Sequence, residues 1–178
     1  MNNYFKHTLL GRIFLVSTRL STVQWNGLLE NSEGICDYEL LDQYISLEEG
    51  YLTFFRKDCF GYSIYFSFSS KIEILSKNNE FIIFDGLYFN EPFNLNEKWT
   101  YKIVEKVNFD INVENNTLDI FDATLNSHLL VDVLNNTSSV EAISLNLLNG
   151  IYTLSKIEII TLVRGQSVIL KGILGCLS

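Results

Sequence analysis

The stretch GYSIYFSFSS, residues 61–70, decides the fold class of this chain. Its large apolar residues fall at every second position: Tyr62, Ile64, Phe66 and Phe68. The residues between them are Ser63, Tyr65, Ser67 and Ser69. A period of two residues is the repeat of a β-strand that covers a core with one of its faces. The stretch therefore predicts a strand in a sheet that is buried on one side.

Other short runs rich in aromatic and β-branched residues extend this pattern along the chain. They predict strands over residues 13–17, 51–56, 71–75, 81–84, 99–113, 118–121 and 129–134. Near the C-terminus, Val140–Leu148 and Ile151–Ile160 are joined by Asn149-Gly150, which suits the positive φ angles of a type I′ turn and predicts a hairpin. Val163–Ile173 predicts a further strand that pairs with this hairpin.

One segment, Asp37–Ile45, is typical of a helix, because Tyr38, Leu41 and Ile45 can share one stripe. The connections between the predicted strands are rich in Asn, as expected of turns. The sequence therefore predicts a mainly β fold, an antiparallel β-sandwich or barrel-like architecture with at most one or two short helices. The length of 178 residues fits a single β-rich domain over residues 1–178.

The composition is that of an ordered acidic protein, with 47% hydrophobic residues, one Pro and a formal net charge of −8. This charge disfavours nucleic acid and anionic membranes as direct partners. Three widely spaced cysteines, Cys36, Cys59 and Cys176, form no C-x-x-C pair, which favours a reduced compartment. The N-terminal residues match neither a membrane span nor a signal peptide, so we expect a cytoplasmic protein.

Catalytic signatures are weak in this sequence. Of the two histidines, His7 lies in a segment expected to fray and His128 in an expected turn. The tightest carboxylate pairs are Glu48-Glu49 and Asp119 with Asp122, and the latter two would face opposite sides of a strand. No phosphate-binding loop and no metal-binding motif is present in the sequence. We therefore expect no catalytic residues, no cofactor and no metal.

The strongest functional signal is an acidic segment without any Lys or Arg. It contains seven carboxylates: Glu30, Glu33, Asp37, Glu39, Asp42, Glu48 and Glu49. Such a segment either forms a solvated face or attracts a basic partner by its electric field. Two aromatic residues beside it either anchor that partner or pin the segment to the sheet. The residues predicted to bind the partner are Trp25, Asp37, Tyr38, Glu39, Asp42, Glu48 and Glu49.

The sequence also resembles a small bacterial family, the competence-associated inhibitors of the DNA-entry nuclease, and more loosely the bacterial immunity proteins that neutralise toxins. The resemblance rests on residues 44–54, 62–70, 105–113, 118–120 and 130–133. It implies a β-sandwich that blocks a nuclease or another toxin through an acidic surface. It implies no catalytic residues.

The leading hypothesis is therefore an immunity or inhibitor protein that binds and neutralises a basic bacterial effector. The alternative is a small-ligand or carbohydrate-binding β-barrel whose many aromatic residues line an interior cavity. A third hypothesis is a hydrolase that uses paired carboxylates.

Overall fold

The computed structural model describes residues 4–18, 25–47, 52–54, 62–66, 70–86, 99–135, 140–163 and 165–178. Two helices are present in this part of the chain, α1 (Asp37–Leu47) and α2 (Ser127–Asn135). The strands are β1 (Phe5–Leu10), β2 (Ile13–Ser17), β3 (Leu52–Phe54), β4 (Tyr62–Tyr65), β5 (Lys71–Lys77), β6 (Glu80–Asp85), β7 (Thr100–Val113), β8 (Thr117–Asp122), β9 (Ala142–Asn146), β10 (Gly150–Val163) and β11 (Gln166–Leu177). The predicted mainly β, antiparallel, sandwich-like fold with at most one or two short helices is confirmed.

The strands form two sheets. The first has the order β1-β5-β6-β11-β10-β7, and the second has the order β3-β4-β2-β8-β9. Long antiparallel ladders join β10 to β11 and to β7. Among the described strands neither sheet closes on itself, so neither is a closed barrel.

The chain divides into two compact units. The first unit consists of Met1–Thr8, Phe68–Thr117 and Asn146–Ser178, and the second consists of Leu9–Ser67 and Leu118–Leu145. Each unit is therefore built from segments that are distant in sequence. The expectation that residues 1–178 behave as one domain stays a prediction.

Each unit has its own apolar cluster. In the first unit the cluster comprises Leu75, Ile82, Phe84, Ile157, Ile159, Leu170 and Leu174. In the second unit, α1 and α2 contribute Leu41, Ile45 and Leu130 to a cluster with side chains of β2 and β8. These helices bury one stripe each because their apolar residues recur three or four positions apart.

Helix α2 corrects the prediction of a strand over residues 129–134. Asn126 caps this helix, because its side-chain oxygen accepts hydrogen bonds from the backbone N–H groups of His128 (3.0 Å) and Leu129 (2.9 Å). Leu130 is buried, and Val133 and Leu134 pack against the same cluster. These apolar residues are spaced as in a helix. Together with the Asn cap that precedes them, this spacing is the sequence signal that predicts a helix here.

The predicted hairpin around Asn149-Gly150 is wrong. Strand β9 belongs to the second sheet and β10 to the first, so the two do not pair. The hairpin partner of β10 is β11, with Val163 opposite Gln166 and with Gly165 at a φ of 79° in the loop between them. Of the predicted further strand Val163–Ile173, Val163 lies in β10 and Gln166–Ile173 lie in β11, which pairs with β10 as expected.

Strand β1 was missed, since its segment was expected to fray. His7 lies within this strand and is half-buried, and that burial lowers the pKa of its imidazole. His128 is exposed in the first turn of α2. In the part of the chain that the structure describes, no helix is long and apolar enough to cross a bilayer. Cys59 lies outside the described residues.

Candidate functional site

Helix α1 starts with a reciprocal cap that involves one residue of the acidic segment. The backbone N–H of Cys36 donates to Glu39 Oε2 and the backbone N–H of Glu39 donates to Cys36 Sγ, each at 3.4 Å. This is the geometry of a capping box, with a thiol in place of the usual Ser or Thr hydroxyl. The carboxylates of Asp37 and Glu39 also lie in the first turn, where the helix dipole favours negative charge.

The loop before α1 is held by backbone N–H groups that donate hydrogen bonds to the side chain of Asn31. Asn31 Oδ1 accepts the backbone N–H groups of Glu33 (2.8 Å) and Ile35 (3.2 Å). The backbone N–H of Asn31 donates to the carbonyl of Ile35 at 2.9 Å, and Glu30 and Cys36 form an isolated antiparallel bridge. The side chains of this loop are therefore presented in a defined arrangement.

Asp37 fastens the start of the loop to the helix. Its Oδ2 accepts the backbone N–H of Asn26 at 2.9 Å and the side-chain amide of Asn26 at 3.3 Å. The backbone N–H of Tyr38 donates to the carbonyl of Gly27 at 3.0 Å. Gly27 has a φ of 58°, and a Cβ there would lie 2.5 Å from the carbonyl oxygen of Thr124. The Asp37 carboxylate is thus engaged within the protein.

Trp25 lies in the core of the second unit and not on its surface. Its side chain is fully buried, and its indole N–H donates to the carbonyl of Ala123 at 3.0 Å. It packs in the same cluster as Leu41 and Ile45 of α1. In this position Trp25 pins the start of the loop to the second sheet, which was the alternative to its predicted role as an anchor for a partner.

Tyr38 is half-buried and lies between charges of both signs. Burial raises the pKa of its hydroxyl, the negative charge of Asp42 raises that pKa further, and the positive charge of Arg12 acts in the opposite direction. Arg12 thus brings a cation to the α1 side of the acidic segment. Glu48 and Glu49, the other two predicted partner-binding residues, lie outside the described residues.

The loop and α1 together expose large aliphatic side chains that the sequence analysis did not single out. These are Leu28, Leu29, Ile35 and Leu40, with exposed fractions between 37% and 56%. The exposed carboxylates of the same segment are Glu30, Glu33 and Glu39. We call these seven residues the acidic-apolar surface. The acidic-apolar surface has a sequence signal. Its aliphatic residues lie in a segment rich in carboxylates and follow neither the period of a strand nor that of a helix.

Asp119 and Asp122 of β8, the second candidate carboxylate pair, have separate hydrogen-bond partners. Asp119 accepts a hydrogen bond from the Ser144 hydroxyl, and burial raises the pKa of its carboxyl group while this hydrogen bond acts in the opposite direction. Asp122 accepts the backbone N–H of Thr124 at 2.8 Å. Each carboxylate therefore has its own local partner. Within the described ranges, no group of three or more His, Cys, Asp or Glu side chains is placed to hold a metal ion.

Comparison of the chain with protein-family models, curated proteins and solved structures finds no match. The resemblance to the competence-associated inhibitors and to immunity proteins therefore stays a prediction. What can be argued about function rests on the residues of the acidic-apolar surface.

Proposed function

We propose that this chain is a binding protein of the immunity or inhibitor type that neutralises a basic protein effector in the cytoplasm. The observation that supports the proposal is the acidic-apolar surface, in which four exposed aliphatic side chains and three exposed carboxylates lie in the same loop and helix. Exposed aliphatic residues grouped in this way, with a polar surround, mark surfaces that bind other proteins.

The two kinds of side chain have different roles in such a contact. Leu28, Leu29, Ile35 and Leu40 would supply the apolar area that is removed from water when the partner binds. Glu30, Glu33 and Glu39 would attract a basic surface and raise the rate of association. Because an acidic chain repels nucleic acid and anionic lipid, the partner that fits best is a protein rich in Lys and Arg.

Two exposed carboxylates can test the electrostatic role without disturbing the fold. Glu30 and Glu33 are exposed, whereas Asp37 and Glu39 hold the loop and the helix start and are unsuitable. A basic effector recovered on the immobilised chain should bind the Glu30→Gln/Glu33→Gln variant with an association rate constant about three- to tenfold lower at low salt. Surface plasmon resonance at several salt concentrations measures this rate, and the difference should shrink as salt rises.

The matched control is the Asp110→Asn/Asp132→Asn variant, which removes the same amount of charge from exposed positions outside the acidic-apolar surface. It should associate at nearly the rate of the unchanged chain. Equal losses in both double variants would mean that net charge alone attracts the partner. That result would contradict a specific role for the acidic-apolar surface.

The aliphatic side chains give an independent test. Leu29→Ser should leave the association rate nearly unchanged and should raise the dissociation rate constant by about tenfold or more if Leu29 is an anchor. The inhibitor role itself requires that the effector loses its activity when saturated with the chain. If the bound effector kept its full activity, the chain would be a binding protein but not an inhibitor, and the inhibitor part of the proposal would be wrong.

A further inference from the structure

The chain contains two Asn-Gly pairs, Asn26-Gly27 and Asn149-Gly150. An asparagine before glycine is the kind that deamidates most readily, because a glycine has no side chain to hinder the approach of its backbone nitrogen to the preceding side chain. Both asparagines are exposed to solvent. Sequence and exposure therefore do not distinguish the two sites, and a difference between them has to come from their contacts.

Deamidation consumes one water and releases one ammonia. The glycine nitrogen attacks Cγ of the asparagine side chain and loses its proton to solvent, which gives a tetrahedral intermediate with negative charge on the side-chain oxygen. The side-chain nitrogen takes up a proton and leaves as ammonia, and a five-membered succinimide remains. One water then opens the ring, at Cγ to give aspartate or at the backbone carbonyl carbon to give isoaspartate. Groups beside the side-chain oxygen raise or lower the rate, because that oxygen becomes charged.

At Asn149 the side-chain oxygen contacts a backbone donor. The backbone N–H of Asn116 donates a hydrogen bond of 2.6 Å to Asn149 Oδ1. The donor is itself held in place, because Asn116 lies in a turn with a φ of 57° and its carbonyl accepts the backbone N–H of Leu147 at 2.9 Å. A hydrogen bond to a charged oxygen is stronger than one to a neutral oxygen, so this contact strengthens as the intermediate forms. It therefore favours the reaction at Asn149.

At Asn26 the neighbouring group is a carboxylate. Asp37 Oδ2 accepts the side-chain amide of Asn26 at 3.3 Å and its backbone N–H at 2.9 Å. A negative charge so close opposes a second negative charge on the amide oxygen. The backbone is also held on both sides, because the Asn26 carbonyl accepts the N–H of Leu29 at 2.9 Å and the Gly27 carbonyl accepts the N–H of Tyr38 at 3.0 Å. These contacts disfavour the reaction at Asn26.

We propose that Asn149 is a site of spontaneous deamidation in the folded chain, and that Asn26 is protected from the same reaction by its contacts with Asp37. Either product at Asn149 adds a negative charge to the loop before β10. Aspartate keeps an oxygen that can accept the N–H of Asn116, whereas isoaspartate adds a methylene to the backbone directly before β10 begins at Gly150. The inference requires no partner and is therefore independent of the proposed function.

Incubation of the full chain at mildly alkaline pH, followed by peptide mapping with mass spectrometry, measures the rate of modification at each asparagine. Chromatography separates the aspartate and isoaspartate forms of each peptide. In the folded chain the rate constant at Asn149 should exceed that at Asn26 by about fivefold or more, which corresponds to a difference of about 1 kcal/mol in the barrier. In concentrated urea the two rate constants should become similar, because both sets of contacts are lost.

A single substitution tests the cause of the protection. Asp37→Asn removes the negative charge but keeps an oxygen that can accept the backbone N–H of Asn26, and it should raise the rate constant at Asn26 by about threefold or more. The matched control is Asp132→Asn, which removes an exposed carboxylate of α2 in the same unit and should leave that rate constant unchanged. Circular dichroism checks that both variants are folded.

The unchanged chain decides the proposal even if Asp37→Asn does not fold. A folded chain that reacts equally at the two sites, or faster at Asn26, would overturn it. A preference for Asn149 that persisted in urea would also overturn it, because the preference would then come from the neighbouring sequence and not from the contact with Asn116. A folded Asp37→Asn variant with an unchanged rate constant at Asn26 would refute the protective role of the carboxylate.

Discussion

At the scale of single residues, the most unusual group is the carboxylate of Glu73. Its side chain is fully buried on β5, with Lys71 Nζ 3.0 Å from Oε1 and Lys6 Nζ 4.0 Å from Oε2. The Thr8 hydroxyl donates a hydrogen bond of 2.8 Å to Oε2. Glu73 therefore ties β1 to β5 through Lys6 and Thr8 of β1, while Lys71 of β5 supplies a second cation beside the carboxylate. A buried carboxylate is tolerated only with such partners, because removing a charge from water is costly.

We expect Glu73→Ala to lower the free energy of unfolding by about 3–5 kcal/mol, since it leaves two lysines beside a buried site without their counter-charge. Urea denaturation followed by tryptophan fluorescence measures this change. Lys6→Ala is the control, because Lys6 lies farther from the carboxylate and retains some solvent. It should cost about 1 kcal/mol. A Glu73→Ala variant as stable as the unchanged chain would show that Glu73 holds nothing in place.

At the scale of single residues, the sequence predicts only part of the candidate site. The acidic segment was visible from composition, but the division of its carboxylates was not. Asp37 and Glu39 are used to cap α1 and to close its loop, whereas Glu30 and Glu33 are exposed. Trp25 was expected beside the carboxylates but lies in the core. Its indole N–H can be buried there because it donates a hydrogen bond to the carbonyl of Ala123. Such assignments depend on tertiary contacts that no local pattern contains.

At the scale of elements, alternation of apolar residues located most of the strands. The prediction over residues 13–17 matches β2, and residues 71–75 and 81–84 lie within β5 and β6. Pairing between strands was less predictable. Asn149-Gly150 has a hairpin sequence, yet Asn149 Oδ1 accepts the backbone N–H of Asn116 at 2.6 Å, and the flanking strands enter different sheets. A turn motif specifies a local bend, whereas the choice of sheet depends on the whole core.

Helix α2 shows how a cap can outweigh strand propensity. Its sequence LLVDVL contains two valines, which favour strands, but Asn126 satisfies two backbone N–H groups at the helix start. We expect Asn126→Ala to lower the free energy of unfolding by about 1 kcal/mol, as measured by urea denaturation. Asn126→Asp should keep most of the stability, because a carboxylate also caps a helix start. Equal losses in both variants would contradict the capping role.

Among the described strands, β7 lies at one edge of the first sheet. Its ladder with β10 is interrupted by register shifts, one beside Lys156 and Ile157 and another between Thr153 and Ser155. Bulges of this kind break the regular row of backbone groups that an added strand would need.

At the scale of the whole molecule, the chain passes repeatedly between the two units. The three segments of the first unit are separated in sequence by Leu9–Ser67 and Leu118–Leu145, which make up the second unit. If the second unit unfolded alone, the first would have to hold its segments together across two long flexible loops, and closing such loops costs entropy. This connectivity favours loss of both units in one step.

We therefore expect a single unfolding transition in differential scanning calorimetry, with equal calorimetric and van't Hoff enthalpies. Glu73→Ala alters the first unit and Leu130→Ala removes a fully buried side chain from the second, at a cost of about 2–5 kcal/mol. In a single cooperative domain each substitution lowers the one midpoint and leaves the trace with one peak. If the units unfold separately, each substitution moves only the transition of its own unit. Two peaks that respond selectively in this way would refute the prediction of one domain. Each substitution would then destabilise only the unit that contains it, although the segments of the two units alternate along the chain.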